Sequence, residues 1–317
     1  METIKIAGGI AGLGKDTGNA ELLWAQGKLW LFNLNFKNQP TLNFGNHVIH
    51  TGCDLYVFTI STRTWQTVKV PAITQEENVS EHIFVFKNQI YLILFKNFKG
   101  IHLEGLYKFN GESFEQQKFS APPEVPIEEH VRVTAVTASG VTSNDEMILV
   151  LNGEGMRVYK LLIGEDSKAE YILTTHEEPS PMSGTATSAM VFNDQLAISY
   201  GVHGCGFRWQ ADRLVRINLH TNEVETIQFE SLLKPPFAFN GAKATTSNVD
   251  AWVHAGGSVP IGMTGSSFDG SVWKLNDVFG DKPEWQRTKV ILFEKYVVAN
   301  DNELYTVADD AVTYYEF

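Results

Sequence analysis

The chain has 317 residues, of which 43% are hydrophobic and 20% charged, with a formal net charge of −12. No run approaches the ~18 consecutive apolar residues of a membrane-spanning helix, and the acidic balance without a Lys/Arg cluster argues against a nucleic-acid partner. Cys53 and Cys205 lie far apart with no CxxC pair, so neither a disulfide framework nor a zinc site is expected; METIKIAGG lacks the pattern of a secretory leader, so a cytoplasmic location is expected.

Along the chain, Glu2-Thr-Ile-Lys-Ile-Ala7 alternates with period two and reads as a strand. Six polar turns then launch apolar runs whose first apolar positions are Leu29, Ile90, Met147, Leu196, Ala251 and Leu304, spaced by 61, 57, 49, 55 and 53 residues. That regularity is an internal repeat. Asn, Asp and Gly tolerate the positive φ of tight hairpins, so each turn predicts a hairpin into a buried strand. A second series keeps the same phase, from Leu55-Tyr-Val-Phe58 through Leu106-Tyr-Lys-Phe109, Met156-Arg-Val-Tyr159, Leu214-Val-Arg-Ile217 and Val272-Trp-Lys-Leu275 to Val312-Thr-Tyr-Tyr315. Each of the first five is followed by a further strand, opened for example by Trp65, Phe114 and Trp285; the sixth is not.

The repeat unit is therefore four antiparallel strands in about fifty residues, the pattern of a β-propeller blade. The expectation is an all-β, six-bladed β-propeller in one domain over 1–317, with blades at about 20–70, 81–120, 131–174, 187–230, 241–290 and 294–317. Residues 2–7 complete the last blade and close the ring, which removes an open edge.

The blades resemble Kelch repeats, in which an apolar second strand runs into a Gly-Gly doublet and a Trp opens the fourth strand. Ala251-Trp-Val-His-Ala-Gly256-Gly257, Trp273 and Trp285 carry the resemblance best, followed by Leu55-Tyr-Val-Phe58 with Trp65. It implies a recognition scaffold and no particular activity. The recurrent aromatics read as packing between blades.

Strand order puts the connections between second and third strands, and those between blades, at one end of the molecule. They are the longer ones, spanning 37–54, 71–82, 97–105, 120–131, 174–187, 201–213, 230–240 and 258–271. Long loops on a rigid scaffold are where binding residues concentrate. His47, His50, His82, His102, His130, His176 and His203 fall in or beside these loops. No pair has helical metal-ligand spacing, so no metal and no cofactor is expected.

Gly201-Val-His203-Gly-Cys205-Gly-Phe207-Arg208-Trp209-Gln-Ala-Asp212 stands out, because Arg and Trp are the side chains that most often anchor a partner. Arg208, Trp209, His203, Phe207, His47, His50, Met263 and Phe268 are the expected ligand contacts. The leading reading is recognition of a protein or small-molecule ligand by a monomer. Two other readings stay open: an enzyme (cyclase, isomerase or hydrolase) using His203, His47 or Asp212 as acid–base groups in the central funnel, and a carbohydrate-binding propeller.

Overall fold

A computed structural model describes residues 2–5, 20–40, 46–73, 79–96, 100–123, 125–126, 134–153, 155–175, 184–202, 210–229, 251–255, 258–261, 265–268, 270–292, 296–300, 303–308 and 311–316. Among the described residues there is no helix, and hence none long and apolar enough to cross a membrane. The chain is all-β.

β1 (Glu2–Lys5) opens the chain. The first meander is β2 (Ala20–Ala25), β3 (Lys28–Pro40), β4 (Asn46–Thr59) and β5 (Thr64–Val70). The second is β6 (Val79–Phe86), β7 (Gln89–Lys96) and β8 (Gly100–Phe109), with the short β9 (Phe114–Gln116) against β8. Two short strands follow, β10 (Phe119–Ser120) and β11 (Val125–Pro126). The third meander is β12 (Thr134–Ser139), β13 (Met147–Gly153), β14 (Gly155–Leu162) and β15 (Ser167–Thr175). The fourth is β16 (Gly184–Phe192), β17 (Gln195–Val202), β18 (Gln210–Asn218) and β19 (Val224–Gln228). The fifth contains β20 (Ala251–Ala255), a side hairpin of β21 (Ser258–Ile261) and β22 (Gly265–Phe268), then β23 (Ser271–Asn276) and β24 (Glu284–Ile291). The last is β25 (Tyr296–Asn300), β26 (Glu303–Val307) and β27 (Ala311–Glu316). β1 pairs antiparallel with β27, Glu2 opposite Tyr314 and Lys5 opposite Ala311, and so completes the last meander as a four-stranded sheet.

The turns behave as their composition demands. Gln26 and Gly27, Lys87 and Asn88, and Asn193 and Asp194 all take positive φ, as a two-residue hairpin requires. β6 shows how a strand alternates its side chains between two neighbouring sheets. Ile83 of β6 joins the core shared with the first meander, while Phe84 and Phe86 join the core shared with the third. Among the described residues there are five such cores. They lie between the last and first meanders, then between first and second, second and third, third and fourth, and fourth and fifth. The innermost strands follow the same sequence, with β2 against β25 and β6, and β12 against β6 and β16.

At the end where the tight turns lie, consecutive meanders are laced together. The amide of Gln26 donates to Asn88 Oδ1 at 2.5 Å, Lys87 pairs with Asp145 at 2.8 Å, and the amide of Ser143 donates to Asp194 Oδ1 at 2.8 Å. Polar groups from one turn thus satisfy the next. We call this the turn end and its opposite the loop end.

The structure departs from the sequence expectation in several connections. The predicted loop 37–54 is largely a continuation of the β3–β4 hairpin, whose pairing runs out to Pro40 opposite Asn46. The predicted loop 258–271 contains the β21–β22 hairpin. Residues 114–119, expected as one outer strand, divide: β9 stays on β8, whereas β10 crosses to pair in parallel with β15 of the third meander. The inner strands β12 and β16 also pair in parallel, through Ala138 with Ala189 and Ser139 with Met190, so the third and fourth meanders share one nine-stranded sheet with β10.

Candidate functional site

The expected site divides between strand backbone and undescribed residues. His203, Phe207, Arg208, Trp209 and Met263 lie outside the described residues, as do His130 and His176. His47 and His50 occupy strand positions in β4, opposite Gln39 and Phe36; Asp212 is in β18, and Phe268 is in β22 opposite Ser258. β17 and β18 pair out to Val202 opposite Gln210 at the loop end.

Like His47 and His50, the predicted loop histidines His82 and His102 are strand residues. His82 is buried in β6, with its ring stacked near Phe84 and Nε2 3.2 Å from Thr137 Oγ1 of β12. The imidazole fills the loop end of the space between the second and third meanders. His102 lies in β8, where Nε2 is 3.8 Å from Glu104. Among the described residues no cluster of three or more His, Cys, Asp or Glu has the geometry of a metal centre.

Strand alternation brings together a different set at the loop end. Leu23 and Ala25 of β2 pack into the core between the first two meanders, so Glu21, of the same parity, is turned to that side. Val79, Ile83 and Val85 of β6 pack into the same core, so Glu81 is turned there too. The two glutamates therefore approach one interface from adjoining inner strands. Glu21 stands four residues before the end of β2 and Glu81 five before the end of β6, so each lies towards the loop end of its strand. Both are half-buried.

Cys53 of β4 is buried beside this pair, and burial, then the nearby charges of Glu81 and Asp54, push its thiol up to about 12. A neutral thiol at that position is packing, not a nucleophile. Across the second meander, Arg157 of β14 is buried on the same side as Tyr159 and Leu161, in the core that the second and third meanders share. Glu21 and Glu81 on one side of the second meander, and His82 and Arg157 on the other, thus lie towards the loop end, whereas lacing occupies the turn end.

Sequence reading passed over Glu21 and Glu81 because neither belongs to a motif. The signal that would have found them is parity: each is a charged residue placed in phase with buried positions of an inner strand, where an exposed edge would put it out of phase.

No family model matches the chain, and no curated protein matches it. Among solved structures the chain is similar to an ulvan lyase of polysaccharide lyase family PL25, with 14% identity over 94% of this chain and 78% of that one and a TM-score of 0.47. It is also similar to an endo-1,4-beta-xylanase from Bacteroides thetaiotaomicron, with 9% identity over 94% and 99% of the two chains and a TM-score of 0.45. A third is a GH43 beta 1,3-galactosidase, with 9% identity over 99% and 94% and a TM-score of 0.41.

These findings overturn the Kelch resemblance: the similar structures described are glycoside hydrolases and a polysaccharide lyase, not Kelch proteins. The residues that suggested it have a more general cause. Trp65 packs on Phe58 with ring centroids 5.1 Å apart, and Trp285 lies 6.1 Å from Phe229 in the core between the fourth and fifth meanders. Any stack of twisted sheets needs large side chains at such positions, so they mark sheet-on-sheet packing and not a family.

Proposed function

We propose that the chain is a six-bladed propeller, closed by β1, that cleaves a glycosidic bond at the loop end of its axis. Glu21 and Glu81 serve as the two carboxyl groups, one as acid and one as base or nucleophile. Closure of the ring is supported by the succession of five cores from the last meander to the fifth, and by the short chain from Ile291 to Tyr296 that joins the fifth meander to the last.

The observation that carries the activity is the pair itself. Two half-buried glutamates on adjoining inner strands face one interface at the end of the axis that the turns leave free. Glycoside cleavage needs two carboxyl groups flanking the bond, one to give a proton to the leaving oxygen and the other to act as base or nucleophile. Arg208, Trp209 and Phe207, on the stretch between β17 and β18, supply the stacking and hydrogen-bonding contacts for sugar rings in this reading.

The test is turnover of xylan and beta 1,3-galactan oligosaccharides, read by mass spectrometry of released sugars. Glu21→Gln and Glu81→Gln should each lower the rate by ~10²–10⁴ while leaving the melting transition in place. Arg208→Ala and Trp209→Ala should weaken binding more than turnover. A rate that survives both glutamine variants would overturn the assignment of the pair. Absence of both binding and turnover across the panel would overturn the carbohydrate reading.

A further inference from the structure

The interfaces between meanders are not held alike. Between the third and fourth, main-chain pairing continues from β12 into β16. Gly140, at φ +80°, comes so close there that a Cβ would meet the carbonyl oxygen of Val191 at 2.4 Å. Between the second and third, the chain itself crosses. The amide of Gln117 donates to the carbonyl of Leu106 in β8 at 2.8 Å, and one residue on, the carbonyl of Lys118 accepts from the amide of Ser167 at 3.1 Å before β10 pairs with β15. The first tie lies at the inner rim and the second at the outer rim. Among the described residues, the contacts that join the last meander to the first, the first to the second and the fourth to the fifth involve side chains, as in the apolar cores and the Gln26–Asn88 and Arg216–Val278 hydrogen bonds.

We propose that the molecule is built as two mechanical parts: a stiff arc of the second, third and fourth meanders, residues 79–229, stitched by main chain at alternate rims, and a compliant part made of the remaining meanders. Main-chain ladders resist shear because sliding breaks several hydrogen bonds at once, whereas interdigitated side chains can slide by small rotamer changes. Ladder-bonded elements also tend to open together as one cooperative unit. The arrangement places Glu81 on the stiff arc and Glu21 on the compliant part. Small movements of the first meander then set the separation of the two carboxyl groups. This last step rests on the glycosidase reading; the division into two parts does not.

Hydrogen exchange of the unmodified, ligand-free protein, followed by mass spectrometry, tests the division. Peptides from β6–β8, β12–β15 and β16–β19 should share one slow opening step, with peptides from β2–β5 and β25–β27 exchanging about tenfold faster. Gly140→Ala should speed exchange in β12 and β16 together and leave β2 and β25 unchanged. Separate opening of β12–β15 and β16–β19, or equally slow exchange in β2–β5, would overturn the proposal. The measurement needs no substrate, so a failure of the glycosidase reading shows only in the turnover experiment, and a failure of the two-part division only in exchange.

Discussion

Nε of Arg216 donates to the carbonyl of Val278 at 2.8 Å, across the interface between the fourth and fifth meanders. The same guanidinium donates to the carbonyl of Gly280 at 2.6 Å and reaches the carbonyl of Asp277 at 3.5 Å. Its side chain is only 12% exposed, and Glu225 lies 3.4 Å from Nη1. One planar group therefore organises a whole turn. Replacing it leaves several carbonyls without their charged donor, and hydrogen bonds to charged groups are worth ~1.5–3 kcal/mol. Arg216→Ala should lower stability by about 2 kcal/mol in urea denaturation. Arg216→Lys should recover little of that loss, because an ammonium lacks the fork geometry.

The pairing of β1 with β27 carries its own test. Removing residues 1–5 leaves one side of β27 without a partner, and an open strand edge invites association with other chains. The truncated protein should melt less cooperatively and elute as aggregate by light scattering. A truncated chain that melts like the full one would show that the terminal strand does not hold the last meander.

Asp194 predicts a pH dependence. Hydrogen bonds from Ser143, side chain and then backbone, hold its carboxyl below the usual 3.8, helped by His220 with Nε2 3.1 Å away and opposed by burial. The unfolded chain therefore takes up the proton at a higher pH than the folded one. The stabilisation is complete above the unfolded value and is lost as pH falls through the folded one. Denaturation midpoints measured from neutral pH down to about 2.5 should drop on the acid side, and Asp194→Asn should flatten that drop while lowering the neutral plateau.

Cys53 offers a probe of the interface beside Glu21 and Glu81. Burial, with Glu81 and Asp54 nearby, keeps its thiol protonated up to about 12. In a Cys205→Ser background, a disulfide reagent at pH 8 should label native protein slowly and unfolded protein fast. The ratio of the two rates reports how often that interface opens, and rapid native labelling would contradict the burial.

Much of the architecture was legible in the sequence because the repeat depends on local chemistry. Gln26–Gly27, Lys87–Asn88 and Asn193–Asp194 turn where polar residues interrupt apolar runs, and Glu2–Lys5 pairs where the last meander lacked a strand. The crossing of β10 to β15 was not legible. Gln117 and Lys118 carry no mark of which neighbouring sheet their main chain joins; that choice follows from lateral packing, which period-two patterning does not encode. The extension of β3–β4 to Pro40 was hidden because Asn38, Asn43, Gly45 and Asn46 read as loop composition. For the site, attention to rare residue types led to the Arg208–Trp209 stretch, while Glu21 and Glu81, ordinary residues at ordinary spacing, became visible only once two strands lay side by side.

The antiparallel pairing of β1 and β27 fixes where the chain ends emerge. Glu2 lies opposite Tyr314, and Glu316 lies opposite Glu303, which in turn pairs with Asn300 at the end of β25. Both ends of the described chain therefore leave from the turn end, on the far side of the molecule from Glu21 and Glu81. A linker, tag or surface attached at either end would meet the protein at the turn end and leave the loop-end residues facing away from the support.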